Sequence, residues 1–181
     1  MKKFELTAEF VTNDFGKKLF RIKSLVDFGD VKKDELGGFV EKEENLSHDG
    51  NAWVSGDAKV SGNAWVYGNA KVSGNARVYD NAWVYGDAWV SGDAWISGDA
   101  RVYGDADYAT VKGFGRYFRA TTFFRCKDKI LRVQCGCFYG DLTQFREIVK
   151  KTHGDSKYAK EYLAIADLME LHFKKRQEAA E

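Results

Sequence analysis

Small and apolar side chains recur at a fixed period through the middle of the chain. Between Gly50 and Tyr103 the motif Gly-(Asn/Asp)-Ala-x-(Val/Ile)-(Ser/Tyr) occurs nine times, with Asp80 replacing one glycine, and a tenth copy ends after Ala106. A six-residue period is typical of parallel β-helices, in which each short strand stacks on the strand one coil below. Residues two apart in a strand point the same way, so we expect Ala and Val to face the interior and Gly and Asn/Asp to form the corners.

The residue after each valine shows a second period, of 18 residues. Tyr67, Tyr85 and Tyr103 form one column, Ser55, Ser73 and Ser91 a second, and Ser61, Tyr79 and Ser97 a third. Three hexads per coil make a triangular prism, and strands stacked about 4.8 Å apart turn each column into a ladder. We therefore predict a mainly β fold, built on a short left-handed parallel β-helix with about three regular 18-residue coils.

Changes of pattern divide the chain into three segments, 1–49, 50–111 and 112–181. The first begins with an alternating run from Phe4 to Phe10, and Lys18 to Ile22 reads as a returning strand. This predicts an N-terminal β-hairpin cap. Such a cap closes the lower end of the prism, where strand edges are otherwise unpaired.

The segment 112–181 predicts a β-hairpin followed by two helices, a ββαα unit. Tyr117 to Cys126 and Ile130 to Phe138 are the two expected strands, joined by a turn at Asp128 and Lys129. Asp141 is expected to begin the first helix and Gly154 to end it, and the second is expected between about Ser156 and Arg176.

Aromatic residues gather at outward positions of the repeat. The pattern places five tryptophans outside the prism: Trp53, Trp65, Trp83, Trp89 and Trp95. One side combines Trp65, Trp83 and Arg101 with Tyr67, Tyr85 and Tyr103. Such a contiguous aromatic surface exceeds what a soluble monomer usually leaves open. Three interpretations remain: a homo-oligomer contact in a dimer or trimer, cover by the chain's own terminal segments, or a foreign ligand or partner.

The net charge of +1 gives no overall field that would recruit nucleic acid or a membrane. Basic residues nevertheless concentrate after residue 111, and seven of them interleave with aromatic residues: Lys112, Arg116, Arg119, Arg125, Lys127, Lys129 and Arg132. Cations among aromatic rings suit phosphates and stacked bases, so a nucleotide or nucleic-acid ligand is one interpretation. A solvated outer face over an aromatic core is the other.

No apolar run approaches the length of a membrane span, and the first residues lack the apolar stretch of a signal peptide. We therefore expect a cytoplasmic protein with no membrane partner. The odd number of cysteines (Cys126, Cys135 and Cys137) suggests reduced thiols, which we expect to be buried and structural. These cysteines with His153 could supply zinc ligands, but no second paired motif follows, so we expect neither a metal nor a cofactor.

Enzymes built on a left-handed β-helix need histidines that the regular coils lack. Acyltransferases use a His general base near a cleft between subunits, and the related carbonic anhydrases need three His zinc ligands. The chain's three histidines, His48, His153 and His172, are far apart in sequence. We therefore expect a non-enzymatic protein, with an acyltransferase-like enzyme whose site lies between subunits as the alternative.

Two motifs carry a resemblance to known proteins. Asp27-Phe28-Gly29-Asp30, followed by Leu36-Gly37-Gly38-Phe39-Val40-Glu41 and the repeats, resembles hexapeptide-repeat proteins encoded in bacteriophages and prophages, over about the first 106 residues. Cys135-Gly136-Cys137-Phe138 with Thr152-His153-Gly154 resembles a module shared among phage proteins. In the repeat, Ser or Tyr stands where the left-handed hexapeptide motif usually has a small or acidic residue.

The resemblance implies an accessory protein acting in the cytoplasm of an infected host cell. One such role is inhibition of a bacterial defence, either by binding a host protein or by sequestering a nucleotide signal.

Overall fold

The computed structural model describes the backbone of residues 1–178 and the side chains of residues 1–174. It is mainly β, with a β-solenoid of about four turns followed by two helices, which confirms the predicted fold class. The strands are β1 (Phe4–Thr12), β2 (Lys18–Ser24), β3 (Leu36–Val40), β4 (Trp53–Val54), β5 (Lys59–Val60), β6 (Trp65–Val66), β7 (Lys71–Val72), β8 (Arg77–Val78), β9 (Trp83–Val84), β10 (Trp89–Val90), β11 (Trp95–Ile96), β12 (Arg101–Val102), β13 (Tyr108–Val111), β14 (Thr121–Arg125), β15 (Leu131–Cys135) and β16 (Phe138–Asp141). The helices are α1 (Leu142–His153) and α2 (Lys157–Glu178).

Three columns of two-residue strands form the sides of the solenoid. We call them the serine side (β4, β7 and β10), the tyrosine side (β6, β9 and β12) and the mixed side (β5, β8 and β11). Val54 pairs with Val72 and Val72 with Val90, each 18 residues further along the chain, and the other two sides keep the same parallel register. This register confirms the 18-residue coil.

The Ala and Val/Ile of every hexad fill the solenoid axis. From Ala52 to Val102 their side chains are at most 1% exposed. Burying one valine side chain is worth about 1.5–3 kcal/mol, so these columns contribute a large share of the stability of the fold.

The corners depend on left-handed backbone. Eight hexad glycines have φ between 60° and 70°, a region that residues with a Cβ rarely adopt. Asp80 takes the ninth position with φ 60°, and its carboxylate accepts a hydrogen bond of 3.1 Å from the Gly98 N–H one coil above. This bond compensates part of the cost of a non-glycine residue there.

The corner side chains next to these glycines form hydrogen-bonded ladders. The Asn51 amide donates to Asn69 at 3.2 Å, and the Asn69 amide donates to Asp87 at 3.0 Å. Equivalent bonds join Asn63 to Asn81, Asn81 to Asp99, and Asn75 to Asp93. A carboxylate only accepts, whereas an amide both donates and accepts, so each run of amide donors ends upward on an aspartate, Asp87, Asp93 or Asp99.

The N-terminal segment closes the lower end of the solenoid. β1 and β2 form the predicted hairpin, and β3 continues the mixed side downward, with Val40 paired in parallel to Val60. Lys3 is almost fully buried, and its Nζ donates to the carbonyl oxygens of Ala52 (2.8 Å) and Gly50 (3.3 Å). The N-terminal segment therefore supplies both strand pairing, through β3, and hydrogen bonds, through Lys3, to the lowest coil.

The C-terminal segment differs from the predicted ββαα unit, because its sheet has four strands in the order β13-β14-β15-β16. β13 precedes the boundary predicted at residue 112; its sequence directly follows the degenerate tenth hexad and reads as an extension of the repeat. Gly136, with φ 58°, turns the chain within the second predicted strand, so Phe138 begins β16. The two helices are as predicted: Asp141 caps α1 and Gly154 ends it.

This sheet closes the upper end of the solenoid. The Trp95 N–H donates to the Thr122 hydroxyl at 3.0 Å, and the Lys127 N–H donates to the Asp99 carbonyl at 2.9 Å. The edges of the top coil therefore gain hydrogen-bond partners from β14 and the turn that follows it.

The interior columns yield a first prediction. Val72→Asp places an unpaired carboxylate at the centre of the solenoid, at a cost of several kcal/mol against a typical total stability of about 5–15 kcal/mol. We expect loss of the β circular-dichroism signal and of soluble protein. Ser91→Asp adds the same charge at an exposed, outward position and should fold normally. A folded, soluble Val72→Asp protein would contradict the interior column.

Lys3 yields a second prediction, on pH. Burial lowers the pKa of Lys3 from 10.5 to about 8. Between these values the unfolded chain binds the proton that the folded chain has lost, so the Lys3 contribution to folding stability rises with pH. Relative to Lys3→Met, the wild type should gain about 1–2 kcal/mol between about pH 7.5 and 9.5 in denaturant titrations. A constant difference between the two proteins across this range would show that Lys3 does not titrate there.

Candidate functional site

The tyrosine side brings together all six aromatic and basic residues predicted for it. The rings of Trp65 and Tyr67 stack with centroids 4.1 Å apart, and those of Tyr67 and Tyr85 stack at 5.0 Å with an interplanar angle of 5°. Tyr103 packs edge-on against Tyr85 at 5.3 Å. The Arg101 guanidinium lies 4.2 Å from the centre of the Trp83 ring. The result is one continuous surface of stacked rings, because a Trp column and a Tyr column lie side by side and the rings of each column repeat one coil apart.

Within the described part of the chain this surface stays open to solvent. Trp65 and Trp83 are each 37% exposed and Tyr103 is 60% exposed. The β1–β2 turn packs on the mixed side instead, where the ring centres of Phe15 and Tyr79 lie 5.9 Å apart.

Trp53 corrects the expectation that all five tryptophans lie outside. It projects from the prism, as its position in the hexad requires, but only 4% of it is exposed. Phe28 packs edge-on against its ring at 5.4 Å, and Gly37 leaves it space, since a Cβ there would approach the indole to 2.7 Å. The N-terminal segment covers this tryptophan, which the repeat alone could not show.

The seven basic residues of the predicted phosphate patch do not converge on one site. Lys112 pairs with Asp93 at 2.5 Å, and Arg132 pairs with Asp128 at 2.7 Å. Lys127 and Lys129 are exposed around the turn that follows β14. Several of these cations are therefore engaged locally or point to solvent.

Arg125 has a structural position. Its guanidinium donates to the Phe173 carbonyl oxygen at 2.5 Å and lies 5.3 Å from the centre of the Phe173 ring. Its side chain is 18% exposed. Arg125 therefore ties the sheet to α2.

Arg116 and Arg119 differ from the other five. Their guanidinium groups both lie near the exposed ring of Tyr117, at 5.6 Å and 5.0 Å from its centre. Neither forms an ion pair with a described carboxylate within 4.0 Å.

A groove that sequence reasoning missed opens on the mixed side, and we call it the mixed-side groove. Its volume is about 590 Å³. It is lined by Asp14 and Phe15 of the β1–β2 turn, by Arg77, Tyr79 and Trp95 of the solenoid, and by Arg119, Gln134, Gly136, Cys137 and Tyr139 of the C-terminal sheet region. The one available signal was Tyr79, which stands in a column that otherwise contains serine.

Hydrogen bonds fix the floor of the mixed-side groove. Gln134 is 4% exposed, and its Oε1 accepts from the Tyr79 hydroxyl (3.2 Å) and the Ser97 hydroxyl (3.0 Å). Its Nε2 donates to the Gly136 carbonyl at 2.7 Å. Burial raises the pKa of Tyr79 and of Tyr139, so both hydroxyls stay protonated at neutral pH. Gln134 therefore joins the sheet to the solenoid beneath the groove.

The cysteines occupy three different environments. Cys126 is buried, with its Sγ 3.8 Å from the Tyr139 hydroxyl, and burial raises the pKa of its thiol. Cys135 is half-buried and accepts from the Thr121 hydroxyl at 3.2 Å. Cys137 is exposed, which corrects the expectation of three buried thiols. Gly136 turns the chain between Cys135 and Cys137, so the two do not share one strand face.

The histidines are likewise dispersed. His48 stacks on Phe4 at 4.3 Å, His153 lies 5.9 Å from Tyr162, and His172 lies 5.0 Å from Phe173, measured between ring centres. Among the described residues, no three His, Cys, Asp or Glu side chains are grouped so that they could hold a metal ion.

Comparison with protein families supports the class that the fold defines. A family model of the YdcK β-solenoid repeat matches residues 70–86 and 76–92, which lie within the regular coils. The match and the coil geometry agree that the chain is a β-solenoid repeat protein. The comparison with curated proteins gives no match. Neither described helix is long and apolar enough to cross a membrane.

The position of Arg125 yields a third prediction. Arg125→Ala removes a charge-assisted hydrogen bond to α2 and leaves a half-buried carbonyl with one partner fewer. We expect the free energy of unfolding to fall by about 1–2 kcal/mol in chemical denaturation. Lys127→Ala, an exposed residue two positions on, should change it by less than about 0.5 kcal/mol. Equal effects of the two substitutions would show that Arg125 is a surface residue like Lys127.

Proposed function

We propose that the protein is a non-enzymatic β-solenoid scaffold that self-associates through its tyrosine side and binds a target as an oligomer. The observation that carries this proposal is the open surface of stacked rings between Trp65 and Tyr103. Exposed apolar surfaces of this continuity are typical of protein–protein contacts.

A second copy of the chain suits this surface because the surface carries little charge. Arg101 is the one charged residue among the six, and it is already engaged: its Nη1 donates to the carbonyl oxygens of Ala100 (2.8 Å) and Asn81 (2.9 Å). A strongly charged partner would leave its own charges without complement. The same surface on a second copy carries little charge, so it would leave no strong charge without complement.

The arrangement of the rings is also compatible with a symmetric oligomer. The Trp column and the Tyr column run side by side along the solenoid. A twofold axis parallel to the solenoid and midway between the columns places the Trp column of each copy against the Tyr column of the other. A trimer about a threefold axis uses the same surface in a closed ring, and the solution mass separates the two.

The resemblance of the N-terminal motif from Leu36 to Glu41 to phage-encoded hexapeptide-repeat proteins supports a role during infection. We propose an accessory function in the host cytoplasm, as an inhibitor of a bacterial defence that binds a host protein or sequesters a nucleotide signal. A rigid solenoid suits such a role, since a preformed surface loses little conformational entropy on binding.

The fourth prediction tests self-association. Trp83→Glu combined with Tyr85→Glu places charges at the centre of the surface, and the solution mass by light scattering should fall to that of a monomer. The far-ultraviolet spectrum should stay unchanged, because both side chains point outward. Trp89→Glu with Ser91→Glu introduces the same two charges at equivalent positions of the serine side and should keep the oligomer. A wild type that is monomeric at micromolar concentration, or a double variant of unchanged mass, would refute this contact.

A further inference from the structure

We propose that the mixed-side groove binds a mononucleotide, with the base against its aromatic rings and the phosphate at Arg119. This deepens the proposed role as a binder and rests on it. It does not depend on self-association, because the groove and the tyrosine side lie on different sides of the solenoid.

The groove has the size and construction of a small-molecule site. Its volume of about 590 Å³ falls within the range of about 300–1,000 Å³ that ligand pockets usually have. Three stretches distant in sequence build it: the turn at Asp14, the solenoid at Tyr79 and the C-terminal sheet region at Tyr139. Clefts where different parts of a fold meet are common positions for binding sites.

The floor of the groove is preorganised. The Tyr79 hydroxyl is held by buried Gln134, and the Trp95 backbone N–H is held by Thr122. The rings of Tyr79 and Trp95 lie 5.8 Å apart, centre to centre. A floor fixed in this way does not need to be ordered when a ligand arrives, which favours affinity.

Two further rings line the groove from different segments and remain largely open. Phe15 is 66% exposed at the hairpin turn, and Tyr139 is 44% exposed on β16. Four aromatic rings thus surround one concave space. Stacking of a nucleobase on aromatic side chains is worth about 1–3 kcal/mol per base, and it requires no particular base.

Charge in the groove selects an anion. Of the two arginines that line it, Arg77 is ion-paired with Asp14, so its charge is largely compensated. Arg119 has no described carboxylate partner within ion-pair distance, and Arg116, whose guanidinium also lies near the Tyr117 ring, adds to the positive potential. The guanidinium of Arg119 lies across Gly136, where a Cβ would approach Nη1 to 2.7 Å. Gly136 thereby leaves space for the guanidinium at the wall of the groove.

Phosphate matches this guanidinium. Its oxygens accept hydrogen bonds and carry the opposite charge, and the planar fork of arginine can bind two of them at once. A ligand with a flat ring at one end and a phosphate at the other satisfies both halves of the groove, and a mononucleotide has that form. Arg119 is the one residue of the predicted basic patch that lines this groove.

Calorimetric titration of the full-length protein with adenosine 5′-monophosphate and guanosine 5′-monophosphate at low salt tests the proposal. We expect saturable binding of at least one of them, weakened by added salt as phosphate contacts require. Adenosine and guanosine, which lack the phosphate, should bind at least tenfold more weakly. No saturable binding of either nucleotide at up to about 1 mM would overturn the proposal.

Two variants locate the site. Arg119→Ala should weaken binding at least tenfold, and Phe15→Ala, at an exposed turn, should weaken it severalfold without affecting the fold. Lys127→Ala is the matched control, since it removes a cation of the predicted basic patch that lies outside the groove, and it should bind like the wild type. Unchanged affinity in both Arg119→Ala and Phe15→Ala would place the ligand elsewhere and refute the groove.

Two further measurements distinguish this proposal from self-association and from binding of an extended nucleic acid. Trp83→Glu with Tyr85→Glu should keep nucleotide binding while it loses self-association, so the two proposals can fail independently. A short single-stranded oligonucleotide should bind no more tightly than the mononucleotide. Binding tighter by a factor of about ten would indicate an extended nucleic-acid surface, and the mononucleotide proposal would then be wrong.

Discussion

The narrow axis of the solenoid admits only small and β-branched side chains, and this constraint decides the position of every other residue in the repeat. Once Ala and Val occupy the interior, the residues between and after them must project outward. Positions 18 apart then lie above one another on the same side. The aromatic ladder from Trp65 to Tyr103 is therefore a consequence of interior packing: tight packing of the core fixes the spacing of the surface rings.

Because the repeat is regular, much of the fold and of the tyrosine side could be predicted from the sequence. Coil length, interior columns and the six residues of the tyrosine side follow from periodicity, because each residue there depends only on its place in the repeat. The environment of Trp53 does not follow from it, since Phe28 reaches that side chain from a separate segment. The exposure of Cys137 and the existence of β13 could not be predicted for a related reason. A single glycine turn precedes Cys137 and a degenerate hexad precedes β13, and neither carries enough pattern to show where one strand ends and the next begins.

The mixed-side groove is the feature that the repeat pattern could least predict. Its walls come from the β1–β2 turn and from the C-terminal sheet region, whose approach to each other depends on tertiary contacts such as those of Phe15 with Tyr79 and of Gln134 with Ser97. No periodic signal links these residues. The terminal segments thus do two things at once: they close the ends of the solenoid, and they crowd one side of it while another stays open. That asymmetry gives a nearly symmetric prism two different surfaces.

The amide ladders give the solenoid a polarity that limits how it can grow. An added coil placed in the middle would need asparagine at its corners, since it must accept from the coil below and donate to the coil above. Duplication of the top coil would instead stack Asp93 or Asp99 against a second carboxylate, with repulsion between the two. We therefore expect the solenoid to lengthen during evolution by insertion of internal coils. The aspartates of the last coils end the ladders, since they accept a hydrogen bond from below and have no proton to donate upward.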